Sequence, residues 1–264
     1  MDLQLQGKIA LVTGSTAGIG FAIASLLVKE GATVVVNGRT AKRVEEAVSK
    51  IVKAAPTANV SGVDADVSSA EGVAKLVAAV PHVDILVNNA GIFEPKPFAE
   101  ISDEDWLRFF EANVMSGVRL SRFYFPKMLQ RNWGRIVFIS SESALQTPAE
   151  MVHYGMTKTA QLAVSRGLAE LTAGTAVTVN SVLPGPTASE GVKTFVDQLA
   201  TERGKSSKDF EKEFFTAGRP SSLLKRFEQP EEVANLVAYV CSPLASATNG
   251  AALRVDGGVV KSIA

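Results

Sequence analysis

Cysteine is almost missing from this chain: Cys241 stands alone among 264 residues. An intrachain disulfide is therefore excluded, and a reducing compartment fits the composition. Histidine is nearly as scarce, and His82 and His153 make no metal-ligand pattern with Cys241. Excess charge of one sign is lacking too, since 27 basic residues balance 27 acidic ones and no long basic run occurs. A nucleic-acid partner has no electrostatic support from such a chain. No window approaches the roughly 18 to 20 consecutive apolar residues of a membrane-spanning helix. The opening stretch "MDLQLQGKIALVTG" has one lysine and a brief apolar run. That is not a secretory signal, so a cytoplasmic location is the expectation.

What is present is ordinary for a globular protein: 46% hydrophobic and 20% charged residues. Short apolar runs alternate with longer segments of helical period. "KIALVT" (8–13), "TVVVNG" (33–38), "NVSGVDADV" (59–67), "VDILVNNAG" (83–91), "GRIVFISS" (134–141), "VTVNSVLPG" (177–185) and a stretch near "AALRVDGG" (251–258) read as strands. Long helices are expected over 103–129 and 153–172, and a last one over 230–242. The strand segments do not alternate in polarity, so both of their faces should be buried. That predicts an α/β fold: one doubly wound parallel sheet of Rossmann type, about seven strands, with helices on both faces. Residues 1–264 read as a single domain. Residues 187–225 break the rhythm with a charged, helical segment carrying Phe195, Phe210, Phe214 and Phe215. It is either a surface insertion or a lid over a substrate cleft.

"TGSTAGIG" (13–20) sets Gly14, Gly18 and Gly20 where the first strand becomes a helix. Unpaired N–H groups and the positive end of the dipole collect there, and glycines let a pyrophosphate approach. The spacing taken alone also suits a plain tight turn. An acid at the end of the second strand would bind both ribose hydroxyls of NAD, but Asn37 and Gly38 stand there and Arg39 follows. A guanidinium pairs with a 2′-phosphate where a carboxylate would repel it, so NADP(H) is expected over NAD(H). Asp66 closes the third strand and offers an acceptor for the adenine amino group; Asp64 is the competing choice.

"YGMTK" puts Tyr154 and Lys158 four residues apart, on one face of a helix. A free tyrosine has a pKa of about 10. An ammonium about 5 Å away favours phenolate by roughly 3 kcal/mol at an effective dielectric of about 20. The pair therefore suggests a general acid/base that protonates a carbonyl oxygen, or deprotonates an alcohol, near neutral pH.

"TGSTAGIG", "NNAG" (88–91), Asn113, Ser141, "YGMTK", "NSVLPG" (180–185) and "VDGG" (255–258) together resemble the short-chain dehydrogenase/reductase family, in its common short single-domain form. The resemblance covers essentially the whole chain. It implies an NAD(P)-dependent oxidoreductase acting on ketones or secondary alcohols. In it Tyr154 would be the general acid/base, and Lys158 would lower its pKa and bond the nicotinamide ribose. Ser141 would hydrogen-bond the substrate oxygen, and Asn113 would help hold a water beside Lys158. Ser15, Thr16 and Ile19 would complete the phosphate loop with Gly14, Gly18 and Gly20. Gly38 and Arg39 would lie at the adenosine ribose, and Asp66 and Val67 at adenine. Asn89, Ala90 and Gly91 would run along the cofactor, and Pro184, Gly185 and Thr187 would bracket the nicotinamide. Two positions depart from the pattern: Ser15 is not basic, and Asn249 stands where threonine is common. The loops at Phe93–Glu94 and 142–153 would form the substrate pocket. Lacking a basic cluster, they favour a neutral small-molecule carbonyl or alcohol. Family members commonly form homotetramers, which is the expected assembly. An NAD-dependent dehydrogenase of the same family, or a dinucleotide-sensing protein without turnover, are the alternatives.

Overall fold

A computed structural model describes residues 2–192 and 206–263. Seven strands alternate with helices along the chain: β1 (Ile9–Val12), α1 (Gly18–Lys29), β2 (Thr33–Gly38), α2 (Ala41–Ala54), β3 (Val60–Asp64), α3 (Ala70–Ala79) and β4 (Ile85–Asn88). Then follow α4 (Asp103–Phe110), α5 (Ser116–Gln130), β5 (Gly134–Ile139), α6 (Val152–Glu170), β6 (Val177–Pro184), α7 (Ser207–Glu213), α8 (Pro230–Cys241) and β7 (Ala252–Val255). All strands are parallel and lie in the order β3-β2-β1-β4-β5-β6-β7. The chain leaves β1 toward one edge and restarts at β4 on its other side. The crevice at the carboxyl ends of β1 and β4 is thus the topological switch point, where such sheets bind ligands.

The apolar runs alternate between two cores because successive strand residues point to opposite faces. Ala10, Val12, Val34, Val36, Ile85 and Val87 pack with Ile23 and Leu27 of α1, Ile51 of α2 and Val233 and Val237 of α8. Leu11, Val35, Leu86, Ile136 and Phe138 pack on the other side with Leu76 of α3, Leu120 and Tyr124 of α5 and Ala169 of α6. The doubly wound reading holds. Local chemistry fixes several helix starts. Ser69 and Ser102 cap α3 and α4 by accepting from Gly72 N–H (3.0 Å) and Asp105 N–H (3.3 Å). Pro230 opens α8 behind a reciprocal Gln229–Glu232 capping box.

Two boundaries differ from expectation. β3 ends at Asp64, and Asp66 lies past it in a turn, where its carboxylate accepts from Ser68 N–H (3.0 Å) and Ser68 Oγ (2.7 Å). The side-chain bonds of Asp66 compete with strand pairing and stop it. The expected helix over 103–129 is interrupted at Glu111–Met115 by one wide π turn that carries Asn113. Of the 187–225 insertion, residues 187–192 and 206–225 are described, and Phe195 lies outside the described residues. Phe210, Phe215 and Phe227 form a small separate core, with Phe214 stacked on Phe227 at 5.3 Å. Among the described residues no helix is long and apolar enough to cross a membrane, and no cluster of histidine, cysteine and acids suits a metal ion.

Candidate active site

At the switch point, α1 opens at Gly18 directly from the glycine turn, and its first-turn N–H groups face a cleft of about 780 Å³. Gly14, Thr16, Gly18, Ile19, Gly20, Asn89 and Gly91 line it. The turn is held from two sides. Asn37 is buried at the end of β2; its Oδ1 accepts from Gly14 N–H (3.3 Å) and its Nδ2 donates to Val63 O and Ala65 O, both at 3.1 Å. From β4, Asn89 Nδ2 donates to Thr13 O (2.8 Å) and Gly14 O (3.1 Å), while Thr13 Oγ1 accepts from the N–H groups of Asn89 and Ala90, both at 3.0 Å. This stitching requires glycine at position 20: a Cβ there would sit 2.4 Å from Asn89 Nδ2 and 2.6 Å from Gly14 O.

A second cavity of about 890 Å³ joins the first along Ile19, Asn89, Gly91, Phe93, Pro95 and Ser189. Ser141, Tyr154 and Lys158 share its wall, Ser141 just past β5 and the other two in the first turns of α6. Of the two adjacent serines, Ser140 is occupied, donating to Lys158 O at 2.8 Å, whereas Ser141 Oγ accepts from Ser143 N–H at 3.1 Å. Lys158 is buried and donates to Ile139 O at 3.0 Å; burial brings its pKa down to about 8. Burial pushes Tyr154 up to about 12, the Ser141 hydroxyl opposing this and the Glu142 carboxylate adding to it. The direction is opposite to the one expected from charge alone. The Lys158 ammonium is turned to a backbone carbonyl, 5.6 Å from the tyrosine ring centre, and desolvation outweighs its field.

Asn113 is fully buried in the π turn. Its side chain accepts from Ile92 N–H (2.7 Å) and donates to Ile92 O and Thr157 Oγ1, both at 3.0 Å. Its carbonyl accepts from Gln161 Nε2 at 2.6 Å. The side chain therefore braces the strand end beside Gly91 against α6. Beyond β6, Pro184, Gly185 and Thr187 line the larger cavity; Thr187 Oγ1 donates to Gly185 O at 2.9 Å. Glu228 supports this loop from beneath, its Oε2 accepting from Gly185 N–H at 3.3 Å and burial raising its pKa to about 8.

Other expected residues stay outside the two cavities. Ser15 is buried and faces the sheet: its Oγ donates to Val12 O (2.6 Å) and accepts from Asn37 N–H (3.0 Å). Gly38 packs beneath Thr16, Ala90 lies against Gly14, and Arg39 is exposed past β2. Asp66 and Val67 are held in and beside the turn after β3. His153, one residue before Tyr154, is buried against Phe109, with ring centres 4.0 Å apart.

Three features had no clear sequence signal. Arg43 in the first turn of α2 lines the smaller cleft and pairs with Glu190 at 2.8 Å. Arg219, from the insertion, lies between Glu142 (3.5 Å) and Glu150 (3.1 Å) in the wall of the larger cavity. Glu228 is the third. Each depends on a contact between segments far apart in the chain.

The two joined cavities fit a dinucleotide. The helix terminus supplies N–H donors at one end, and Gly91 gives the passage between them; a Cβ there would come within 3.2 Å of Asn113 Oδ1. Comparison with known proteins agrees. A family model described as short chain dehydrogenase matches residues 8–200. "Uncharacterized oxidoreductase YvaG" of Bacillus subtilis (strain 168) is 49% identical over 263 residues, covering 100% of both chains. The 3-oxoacyl-[acyl-carrier-protein] reductase FabG of Aquifex aeolicus is 35% identical, covering 98% of this chain and 100% of its own. L-Sorbose reductase from Gluconobacter frateurii, solved with NADPH and L-sorbose, superposes with a TM-score of 0.93 at 34% identity over 100% of both chains.

Proposed function

This chain belongs to the short-chain dehydrogenase family, and from that premise we propose that it is an NADPH-dependent carbonyl reductase, or the corresponding alcohol dehydrogenase, acting on a neutral ketone or secondary alcohol. It is an NAD(P)-dependent oxidoreductase of CH–OH and C=O groups by family. The observation that carries the finer reading is the convergence of Ser141, Tyr154 and Lys158 on one wall of the cavity that joins the glycine cleft.

The nicotinamide dinucleotide, when bound, supplies or accepts the hydride. Gly14, Thr16, Gly18, Ile19 and Gly20 would hold its pyrophosphate, Asn89 and Gly91 its middle, and Pro184, Gly185 and Thr187 its nicotinamide end. Ser141 orients the substrate oxygen. Tyr154, a neutral phenol until about pH 12 in the free chain, gives its proton to that oxygen in reduction. Lys158 holds a positive charge behind the tyrosine. Asn113 positions Ile92 and Thr157, and with them the wall beside Lys158.

The preference for NADP(H) rests on the end of β2. Asn37 stands in the acid's place with its side chain occupied, and two guanidinium groups, Arg39 and Arg43, lie nearby. The insertion 187–225 would serve as the substrate lid, its described residues 206–225 bringing Phe210, Phe214 and Arg219 to the cavity wall. We assign a homotetramer, from the apolar residues that α4 and α6 leave exposed. A cytoplasmic setting completes the reading, consistent with a lone, buried Cys241.

The test is loss of NADPH absorbance with a panel of neutral ketones, with NADH run alongside and Tyr154→Phe as control. Wild type should turn over at least one ketone faster with NADPH. The phenylalanine variant should keep NADPH binding and lose about 100- to 10,000-fold in kcat. Near-wild-type turnover in the variant would remove Tyr154 from the proton transfer.

A further inference from the structure

The proton-transfer residues leave one part of the larger cavity unexplained. Glu142 follows Ser141 directly and lines the same wall, yet its side chain is only 5% exposed. Its polar neighbours are Ser143 and the Nε of Arg219, which approaches no closer than 3.5 Å. Burying a carboxylate is unfavourable unless its lone pairs are matched. Here the pairing is long and single-pronged, unlike the two-pronged fork that stabilises such pairs. Arg219 is similarly placed, 11% exposed, its Nη1 turned to Glu150 Oε1 (3.1 Å) and Gly218 O (2.9 Å). Its Nη2 has no partner among the described residues. An acceptor and a donor therefore stand together, nearly dry and incompletely matched, one residue from the serine that would hold the reacting oxygen.

We propose that Glu142 and Arg219 form a hydroxyl-recognition subsite, and that the substrate is a neutral ketone bearing hydroxyl groups on the carbons beside its carbonyl. The inference rests on the ketone-reductase reading and narrows it. A hydroxyl both donates and accepts, so it matches a carboxylate oxygen and a guanidinium N–H at once. The cavity wall sets Glu142 and Glu150 against Lys158 and Arg219, so it has no cationic excess to hold a carboxylate or phosphate on the substrate. Phe93, Met151 and Phe214 offer apolar surface for the C–H faces of a short polyol chain. A plain alkyl ketone would leave both polar groups desolvated and only partly matched, and sites of this kind reject the analogue lacking a hydroxyl strongly.

Erythrulose and 2-butanone share one four-carbon ketone skeleton and differ in their hydroxyls. With NADPH, wild type should favour erythrulose by at least about 100-fold in kcat/KM. Glu142→Gln and Arg219→Gln should each reduce that ratio by about tenfold or more, while the NADPH dissociation constant shifts less than about twofold. Taking the ratio cancels any effect of the Glu142 charge on Tyr154, which both substrates feel alike. A wild-type ratio near one, or a ratio that neither variant changes, overturns the subsite while leaving the reductase reading intact. If neither ketone is reduced, saturation-transfer NMR of threitol and 2-butanol on the NADP⁺-loaded protein decides separately. Selective threitol contact, lost in Glu142→Gln, keeps the subsite and sinks only the reductase reading. Equal or absent contact sinks the subsite too.

Discussion

Lys158 places an ammonium group in a closed wall, against the Ile139 carbonyl at 3.0 Å, and its pKa falls to about 8 as a result. That depression has a sign that can be read in stability. Below pH 8 the lysine is charged in both folded and unfolded chains, so the desolvation penalty is fully present. Between pH 8 and the unfolded value near 10.5 the folded chain releases its proton first, and stability rises across that window. Replacing Lys158 by methionine removes the penalty. The variant should be more stable than wild type by roughly 1–3 kcal/mol at pH 7, with the gain shrinking toward pH 10.5, and it should turn over no ketone. Urea unfolding of both proteins at pH 7 and 10 checks the difference, which isolates this site from other titrating groups. A methionine variant less stable at pH 7, or a gain that does not shrink with pH, would contradict the assignment. Tyr154 behaves in the reverse sense: with its pKa raised to about 12, its contribution is present below pH 10 and lost above. A site that stabilises neither charge form fully is the usual signature of residues kept for chemistry rather than for folding.

Elements meet at this site through side chains that are nearly all occupied, which explains what could and could not be read from sequence. The five inner strands were legible because each is buried on both faces, so Leu11 and Val12 serve two different cores without interrupting the apolar run, whereas the edge strands β3 and β7 are partly exposed, contrary to the expectation for all seven. The glycine turn was legible as a pattern, but its spacing also encodes a packing constraint: Gly20 leaves room for Asn89, which ties β4 to the turn. The π turn at Asn113 was not legible. Nothing local in "FFEANVMSG" distinguishes it from a regular helix; the extra residue is held by Ile92, Thr157 and Gln161, which lie on other segments. The same reason hid the placement of Ser15, whose hydroxyl joins β1 to β2 instead of facing the cleft. The Gly20 constraint is testable. A methyl group 2.4 Å from Asn89 Nδ2 displaces that side chain and breaks its bonds to Thr13 and Gly14. Gly20→Ala should destabilise the protein by about 2–4 kcal/mol and weaken NADPH binding by about tenfold or more, read by thermal unfolding and by cofactor fluorescence. A fully stable Gly20→Ala protein would mean that β4 and the turn are not coupled in this way.

At the scale of the molecule, the two helical layers are not equally finished. α4 leaves Leu107 at 66% exposure and Phe110 half-exposed, and α6, packed beside it, exposes Met156 and, just past its end, Leu171 at 64%. Phe98, on the short turn before α4, is 66% exposed as well. Scattered single apolar residues need no explanation, but Leu107 and Phe110 of α4 and Met156 near the start of α6, the end on which α4 packs, are exposed on neighbouring helices as at an interface. Closed assemblies of identical chains bury such a patch symmetrically, each helix pair meeting its own copy, and the sequence-level view could not separate this from ordinary core burial. Light scattering on a size-exclusion column should therefore report about four times the mass of one chain at micromolar concentration. Leu107→Glu combined with Met156→Glu puts four like charges or more into an interface of this type, so the assembly should fall to dimers or monomers. Neither residue lines the cavities, so NADPH should still bind the dissociated form, though more weakly if the assembly steadies the α4–α6 wall behind Lys158. Wild type eluting as a monomer would refute the tetramer. A tetramer unaffected by both charges would move its interface to another face, leaving these exposed side chains without a partner to account for them.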